Sequence, residues 1–291
     1  MRSLLHCSDV HFGPPHLPPV AAGLLELIGR RRPDLVVISG DLTQRAKPEQ
    51  FRQARRFVDR IPVPTLVVPG NHDVPMYRVW ERVFAPFGAY RAHFSRELEP
   101  VYSDPEMLVV GINTAHNWTI KNGRITARRL LEVGELLAAA PAGLFKVVVP
   151  HHQLIPPPGF GSRQVLANAR RAMAAFSAAG VDLVLSGHLH QAYLGSSEEF
   201  YPAGRPPVVV VHSGTTTSSR GRGGERGRNT CNWVSFDERS MTVSRYAWQA
   251  ELERFAEQSR HLYPRRHVSP YTLEALAEPP AAEGAPAPAA V

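Results

Sequence analysis

The feature that most constrains this chain is a repeated arrangement in which a short apolar, β-branched run ends in polar residues and is followed by helical spacing. This repeated order of strand, polar loop and helix favours an α/β layered fold. Because each polar group follows a predicted strand, the pattern also predicts a site along one sheet edge. Later apolar runs come without helices between them and predict a second sheet. The predicted strands are 2–8, 35–39, 63–68, 99–102, 107–113, 144–149, 181–186, 208–212, 233–236 and 241–248, and the helices are 20–32, 49–60, 127–139, 167–179 and 251–262.

The densest polar group is 68–74, VPGNHDV, where the chain turns at Gly70 before Asn71, His72 and Asp73. Such residues lie just past the carboxyl end of a predicted strand, which is where ligands bind in open α/β sheets. Similar positions are occupied at four other strand ends, by Asp9 and His11, by Asp41, by His151 and His152, and by His188 and His190.

Carboxylate, amide and imidazole groups without cysteine suit divalent Mn, Fe, Zn or Co, whereas Ca²⁺ prefers oxygen ligands alone. The strand ends offer more candidate ligands than one ion can use. Two ions about 3.5 to 4 Å apart, bridged by a carboxylate, could use them all.

In order along the chain, the motifs read Asp9-Val10-His11, Gly40-Asp41, Gly70-Asn71-His72-Asp73, His151 or His152, and Gly187-His188-Leu189-His190. This series resembles the calcineurin-like metallophosphoesterase superfamily, whose signature is D-x-H, G-D, G-N-H-[DE], a lone His and G-H-x-H, over about residues 3–190. The resemblance implies a four-layer αββα sandwich, two divalent metal ions per chain (Mn, Fe or Zn) and hydrolysis of a phosphoester by a hydroxide that bridges the ions.

The resemblance also implies a role for each matching residue. Asp41 would bridge the two ions. His72 would face the substrate phosphate without binding metal, and its neighbour Asp73 is a second catalytic candidate. The first metal would be held by Asp9, His11 and His190, and the second by Asn71, His188 and either His151 or His152.

Two positions depart from the family pattern. The lone His often stands before x-Pro in the family, which favours His151, although Gln153 occupies the proline position. Many relatives carry an acid three residues after the bridging Asp, and here that residue is Gln44. Either Asp73 or a backbone carbonyl would therefore have to orient His72.

Substrate contacts are predicted at the rim of the site. His116 and His212 each follow an apolar run and could reach it. The Gly-, Ser-, Thr- and Arg-rich segment 213–229 is either a mobile solvated loop or a lip whose arginines, such as Arg220 and Arg222, meet an anionic group. Residues 77–87 predict a short aromatic helix or lid. Aromatic residues at near-helical spacing there are more typical of core than of lid: Trp80, Phe84, Phe87 and Tyr90.

The overall layout is closest to bacterial class III cyclic-nucleotide phosphodiesterase relatives, which favours a phosphodiester substrate. The alternatives are a phosphomonoester or a nucleotide-linked pyrophosphate. A metal-dependent binding or scaffold module is an alternative of another class, but His72 and Asp41, which silenced members tend to lose, are both present. A phosphorylated small molecule is the predicted substrate. Nucleic acid is less favoured because the Arg-rich segment lacks interleaved aromatic residues.

The length of 291 residues and the 43% hydrophobic content predict one domain over 1–275. Residues 276–291, rich in Ala and Pro, predict a disordered tail. The net charge of +7 fits an anionic substrate or solubility alone. Cys7 and Cys231 lack metal spacing and predict reduced thiols. We expect a cytoplasmic protein, because no signal peptide and no apolar run of about 18 residues is found. The oligomeric state is left open.

Overall fold

The computed structural model describes residues 1–118, 121–157, 159, 165–201 and 207–265, so the predicted tail at 276–291 lies outside the described residues. The helices are α1 (Pro18–Arg31), α2 (Pro48–Val58), α3 (Val79–Phe84), α4 (Gly88–His93), α5 (Ala127–Ala139) and α6 (Ala169–Ala178). The strands are β1 (Arg2–Cys7), β2 (Leu35–Ile38), β3 (Thr65–Val67), β4 (Val101–Ser103), β5 (Met107–Ile112), β6 (Phe145–Pro150), β7 (Leu183–Ser186), β8 (Tyr193–Ser196), β9 (Val209–His212), β10 (Thr230–Phe236), β11 (Ser240–Gln249) and β12 (Arg254–Pro264).

The strands form two mixed six-stranded sheets. The first has the order β12-β11-β10-β1-β2-β3, and the second has the order β4-β5-β6-β7-β9-β8. β1, β2 and β3 are parallel to one another, as are β5, β6, β7 and β9. Each sheet therefore has a parallel half whose carboxyl ends gather at one edge, which is the geometry that the polar strand ends require.

Alternation of side chains along the strands builds three apolar layers. On β1, Leu5 packs on the helix side with Leu24 of α1 and Phe51 of α2. Leu4, its neighbour, points the other way and packs with Phe145 and other residues of the second sheet. The outer face of the second sheet packs against α5 and α6. Two sheets face to face with helices outside confirm the predicted four-layer αββα sandwich.

The predicted terminal helix over 251–262 is wrong. Residues Ala250–Leu252 form a 3₁₀ turn, and the chain continues as β12, which pairs with β11 from Gln249↔Arg254 to Ser240↔Pro264. This long antiparallel partner supplies the main-chain hydrogen bonds that a helix would otherwise make internally, so tertiary pairing overrides the local pattern.

The aromatic segment after the third strand divides into two short helices. Phe87 and Tyr90 are buried beside α2, as the core prediction requires. Trp80 and Phe84 of α3 are not core residues, because they are 77% and 75% exposed. α3 is a short helix of six residues that lies on the surface, and none of its residues is buried.

Cys7 and Cys231 lie on the paired strands β1 and β10, where both are buried and free. Burial raises the pKa of the Cys7 thiol to about 12. No helix within the described ranges is long and apolar enough to cross a bilayer.

Candidate metal centre

The polar strand ends of the two sheets meet at a single edge of the sandwich. His151, which follows β6 of the second sheet, donates through Nδ1 to the carbonyl oxygen of Ser39 after β2 of the first sheet, at 2.7 Å. The amide of His188, which follows β7, donates to Asp9 Oδ2 after β1 at 3.0 Å. These two bonds join the sheets through the loops that carry the predicted ligands.

One group of candidate ligands consists of Asp9, His11, Asp41 and His190, all buried. His190 Nε2 lies 3.1 Å from Asp9 Oδ1 and 3.1 Å from His11 Nε2. His11 Nε2 lies 3.7 Å from Asp41 Oδ2. Asp9 Oδ1 and Asp41 Oδ2 are buried and make no hydrogen bond. Two orphaned carboxylate oxygens facing two imidazole nitrogens form a donor set that suits a divalent cation.

A second group lies on the other side of Asp41. His188 Nδ1 is 2.8 Å from Asn71 Oδ1, and His151 Nε2 is 3.2 Å from the same oxygen. His151 Nε2 is also 3.3 Å from Asp41 Oδ1. Asp41 thus directs Oδ2 to the first group and Oδ1 to the second, which is the arrangement that a bridging carboxylate requires.

The geometry distinguishes His151 from His152. The Nδ1 atom of His152 is 2.8 Å from Thr114 Oγ1, and its Nε2 is buried without a partner. His152 also lies close to His151 and His188, so a nitrogen of each of the three rings falls within one small cluster. Only His151, however, approaches the oxygens of both Asp41 and Asn71. The structure therefore favours His151 as the member of the second group.

The backbone at these positions is unusual. Among the described residues, eight other than glycine have positive φ. Left-handed backbone is costly for such residues and persists where the surrounding structure enforces it. Five of the eight are candidate ligands: Asp9 (54°), His11 (45°), Asp41 (53°), His188 (77°) and His190 (56°).

Glycines of the motifs make room for these ligands. A Cβ atom on Gly70 would collide with the carboxylate and amide nitrogen of Asp41, and one on Gly187 would collide with Ser8 Oγ and Asp9 Oδ2. A Cβ atom on Gly40, whose φ is +103°, would collide with the imidazole of His151. The motif glycines are required because side chains of other motifs occupy the space beside them.

The charge states of Asp9, Asp41, His11 and His188 match what metal ligation needs, whereas His151 would have to lose a proton to bind a cation. Burial alone would raise the pKa of Asp9 and Asp41, but the surrounding imidazoles outweigh it, and both pKa values lie well below the usual range. Burial lowers the pKa of His11 to about 4 and that of His188 to about 3. Burial also acts to lower the pKa of His151, but the charge of Asp41 raises it to about 9. Ionised carboxylates and neutral imidazoles are the forms that bind cations.

His72 is oriented by the main chain. Its Nδ1 donates to the carbonyl oxygen of Gln44 at 3.0 Å, while its amide donates to Asp41 Oδ1 at 2.8 Å. Nε2 is thereby left to face the pocket, which His72 lines. Burial lowers the pKa of His72, and the charge of Asp41 opposes this. Of the two predicted ways to orient this ring, the structure has the backbone carbonyl.

Asp73 lies beneath the loops and outside the pocket lining. Its carboxylate accepts hydrogen bonds from the amides of Leu42 (3.1 Å), Thr43 (2.9 Å) and Gly70 (2.9 Å), and from Thr43 Oγ1 (2.9 Å). Burial, together with the charge of Asp41, raises its pKa to about 7. Asp73, a predicted catalytic candidate, therefore links the Asp41 loop to the Gly70 loop through hydrogen bonds and does not orient the His72 ring.

A family model for calcineurin-like phosphoesterases matches residues 2–192, which contain both groups. The chain belongs to this family. Two similar proteins are a probable cyclic nucleotide phosphodiesterase of Synechococcus sp., 29% identical over 60% of this chain, and the glycerophosphodiester phosphodiesterase GpdQ of Enterobacter lignolyticus, 36% identical over 24% of it. The chain covers 65% and 29% of these two relatives, less than two thirds of either.

Solved structures support the same fold. A purple acid phosphatase from yellow lupin superposes with a TM-score of 0.69 and 11% identity, over 91% of this chain and 54% of that one. A dimetal phosphatase from Danio rerio superposes with a TM-score of 0.64 and 11% identity, over 91% of this chain and 99% of that one. At this identity the likeness concerns the fold alone.

The Arg-rich segment 213–229 is anchored at the site by its first residues, whereas most of residues 219–228 are exposed, and contact of its arginines with an anionic group stays a prediction. Thr215 Oγ1 donates to the carbonyl of Asp9 at 2.8 Å, and Thr217 Oγ1 donates to that of Val10 at 3.1 Å. His190 Nδ1 donates to the carbonyl of Arg220 at 2.8 Å. Residues 213–218 are buried. The segment therefore braces the first group of candidate ligands from outside.

The Arg220 side chain reaches across the pocket. Its Nη1 donates to Gln44 Oε1 at 3.0 Å, and its Nη2 is 3.5 Å from His72 Nε2. Burial lowers the pKa of this guanidinium. Asp41 is the only carboxylate among the described residues that line the pocket. Besides Arg220, four cations line it: Arg45, Arg82, Lys121 and Arg222.

Two predicted substrate contacts do not reach the pocket lining. His212 is buried, with Nδ1 2.5 Å from Ser186 Oγ and Nε2 donating to the carbonyl of Ile155 at 3.1 Å. His116 donates through Nε2 to the carbonyl of Arg124 at 2.6 Å. Both rings are used to hold the chain in place. Conversely, Arg45, Arg82 and Lys121 line the pocket without standing in any motif, so only the fold identifies them.

Proposed function

We propose that the protein is a dinuclear-metal phosphodiesterase. The observation that carries the proposal is the position of Asp41 between two groups of ligand-type side chains, one formed with Asp9, His11 and His190 and the other with Asn71, His151 and His188. Phosphoester hydrolysis is the activity of the family to which the chain belongs. The names of the two similar proteins, both phosphodiesterases, support a diester over a monoester.

The donor sets fit two divalent ions. In the first group, two buried and unpartnered carboxylate oxygens face imidazole nitrogens. In the second group, the side-chain oxygens of Asp41 and Asn71 face the imidazole of His151, and that of Asn71 also faces His188. Such ions supply a water activated near neutral pH and positive charge for the phosphoryl oxygens. Asn71 contributes a neutral oxygen, so the site keeps less negative charge and repels an anionic ester less than a third carboxylate would.

The remaining polar residues of the pocket act on the substrate. Gln44 O holds the Nδ1 proton of His72, so Nε2 points into the pocket, where in its protonated form it can donate to the leaving oxygen. Arg220 places a guanidinium beside that nitrogen and can donate to a phosphoryl oxygen. The pocket continues to Tyr77 and Lys121, which leaves room for both substituents of a diester.

Hydrolysis of bis(p-nitrophenyl) phosphate, p-nitrophenyl phosphate and a nucleoside diphosphate sugar, each with Mn, Fe or Zn, tests the proposal together with metal content per chain. We expect two ions per chain and faster turnover of the diester. Asp41→Asn should lose both ions, whereas Asp59→Asn on the exposed end of α2 is the matched control and should lose neither.

Each contrary result has a distinct meaning. Fewer than two ions per chain contradicts the dinuclear site. Faster turnover of the monoester or of the pyrophosphate reassigns the substrate class. Two bound ions with no metal-dependent turnover of any ester identify a binding module.

A further inference from the structure

Helix α3 leaves its apolar side chains in water. Four of its six residues are apolar, and none is buried. Val79, Trp80 and Phe84 are 62%, 77% and 75% exposed. The rings of Trp80 and Phe84 stack at 5.8 Å with an angle of 9° between them. Apolar surface of this kind on a fixed helix indicates a contact that the isolated chain does not make.

The segment that lies against α3 adds to this surface. Arg82 donates to the carbonyl of His116 at 3.4 Å, and Asn117 donates to that of Val83 at 3.5 Å. Trp118 follows, 79% exposed, and Tyr77 before the helix is 71% exposed. We call Tyr77, Trp80, Phe84 and Trp118 the aromatic rim. Twelve large apolar residues of the described ranges are exposed, and six of them belong to these two segments. These six are the four residues of the aromatic rim together with Met76 and Val79.

Cations lie on the pocket side of the aromatic rim, beside Tyr77. Arg82 and Lys121 line the pocket together with Tyr77, and the guanidinium of Arg45 lies 5.4 Å from the centre of the Tyr77 ring. The one acid of α3, Glu81, is paired with Arg78 at 2.8 Å. Amphipathic aromatic rings beside Arg and Lys are typical of surfaces that bind anionic lipid headgroups.

We propose that the aromatic rim docks the protein on an anionic lipid surface. Trp80, Phe84 and Trp118 enter the headgroup layer, and the cations at the pocket mouth face lipid phosphates. Charge favours this partner over a second copy of the chain, because a symmetric dimer would bring the same cations of two copies together. The docking requires neither metal nor catalysis, so it stands or falls independently of the proposed function.

The test is co-sedimentation of the full chain with phosphatidylcholine vesicles, with and without phosphatidylglycerol. We expect binding to the anionic vesicles, with a blue shift of tryptophan emission. Two of the four tryptophans, Trp80 and Trp118, would report the contact, since Trp233 is buried and Trp248 packs partly buried against the core of the first sheet. The double variant Trp80→Ser with Phe84→Ser should weaken partitioning by about tenfold or more.

A matched control carries Leu131→Ser and Leu252→Ser, which remove apolar side chains that are 61% and 54% exposed outside the rim. This variant should bind vesicles like the wild type. Lys121→Glu with Arg222→Glu tests the charge separately and should weaken binding to anionic vesicles without disturbing the rim.

The proposal is overturned if the wild type does not partition onto anionic vesicles, or if the Leu131 and Leu252 control loses as much binding as the rim variant. Sedimentation velocity measures the oligomeric state of the wild type and of the rim variant. A wild type that dimerises without binding vesicles, and becomes monomeric in the rim variant, would make the rim an interface between copies.

Discussion

His72 donates from Nδ1 to the main-chain carbonyl of Gln44, and the side chain of the same Gln44 accepts from Arg220. One residue thus orients the imidazole through its backbone and the guanidinium through its side chain. A carboxylate at this position is therefore not needed to fix the His72 ring, which explains how glutamine can stand where many relatives have an acid.

Arg220→Ala should separate substrate binding from metal binding. The side chain reaches Gln44 and His72, whereas the bond to His190 uses the backbone carbonyl, which alanine retains. We expect unchanged metal content and a fall in kcat/KM of roughly 10- to 100-fold, typical of losing a charged hydrogen-bond donor. Gln44→Ala should show a smaller fall, because it frees the guanidinium without removing it. Loss of metal in Arg220→Ala would contradict this division.

Asp73→Asn should act on stability. The carboxylate accepts four hydrogen bonds, and an amide would turn one acceptor into a donor that faces other donors. We expect a loss of about 2 to 4 kcal/mol in the free energy of unfolding, measured by urea denaturation of the metal-free protein. Asp59→Asn on the protein surface is the control. A variant that keeps full stability but loses turnover would instead return Asp73 to a catalytic role.

Gly187→Ala and Gly134→Ala should have opposite effects. The new Cβ at 187 would collide with Ser8 and Asp9, whereas nothing lies within 4 Å of the Cβ at 134 in α5. We expect the first variant to lose metal and stability. The second should gain about 0.5 to 1 kcal/mol, because alanine is the better helix residue. Thermal unfolding and metal analysis of both variants check this, and equal behaviour of the two would refute it.

Stability of the metal-free protein should fall as pH falls below 6.5. Burial lowers the pKa of His212 to about 4, so between pH 6.5 and 4 the unfolded chain binds a proton at His212 that the folded chain does not. His6, with a pKa lowered by burial to about 3, acts in the same direction, as do His11 and His188. The raised pKa of Asp73, about 7, acts in the opposite direction, but it is one group against several histidines. Each histidine contributes a slope of up to about 1.4 kcal/mol per pH unit. Urea unfolding at pH 7 and pH 5 should show a smaller difference for His212→Gln than for the wild type.

The sequence was informative where structure is local or where a motif ties residues to chemistry. α5 begins at Ala127 and ends at Ala139, where the spacing predicts it, and the five motifs do meet at one edge. Long-range pairing escaped prediction. β12 has helical spacing but forms a strand on β11, and His212 is occupied by Ser186 and Ile155, which are 26 and 57 residues away. The contact between Arg220 and Gln44 spans 176 residues, and no local pattern encodes it.

The candidate metal centre is assembled from loops of both sheets, so its geometry depends on how the two sheets are aligned. The apolar layer between the sheets fixes that alignment. Ligand-type atoms of opposite sheets, such as His151 Nε2 and Asp41 Oδ1, are 3.3 Å apart, about the rise of one strand residue. A slide of one sheet over the other by a single residue would therefore dismantle both groups. Phe145 and Phe236, stacked at 3.9 Å in that layer, oppose such a slide. Substitutions at these two rings should behave as metal-affinity mutations, although neither ring belongs to the site.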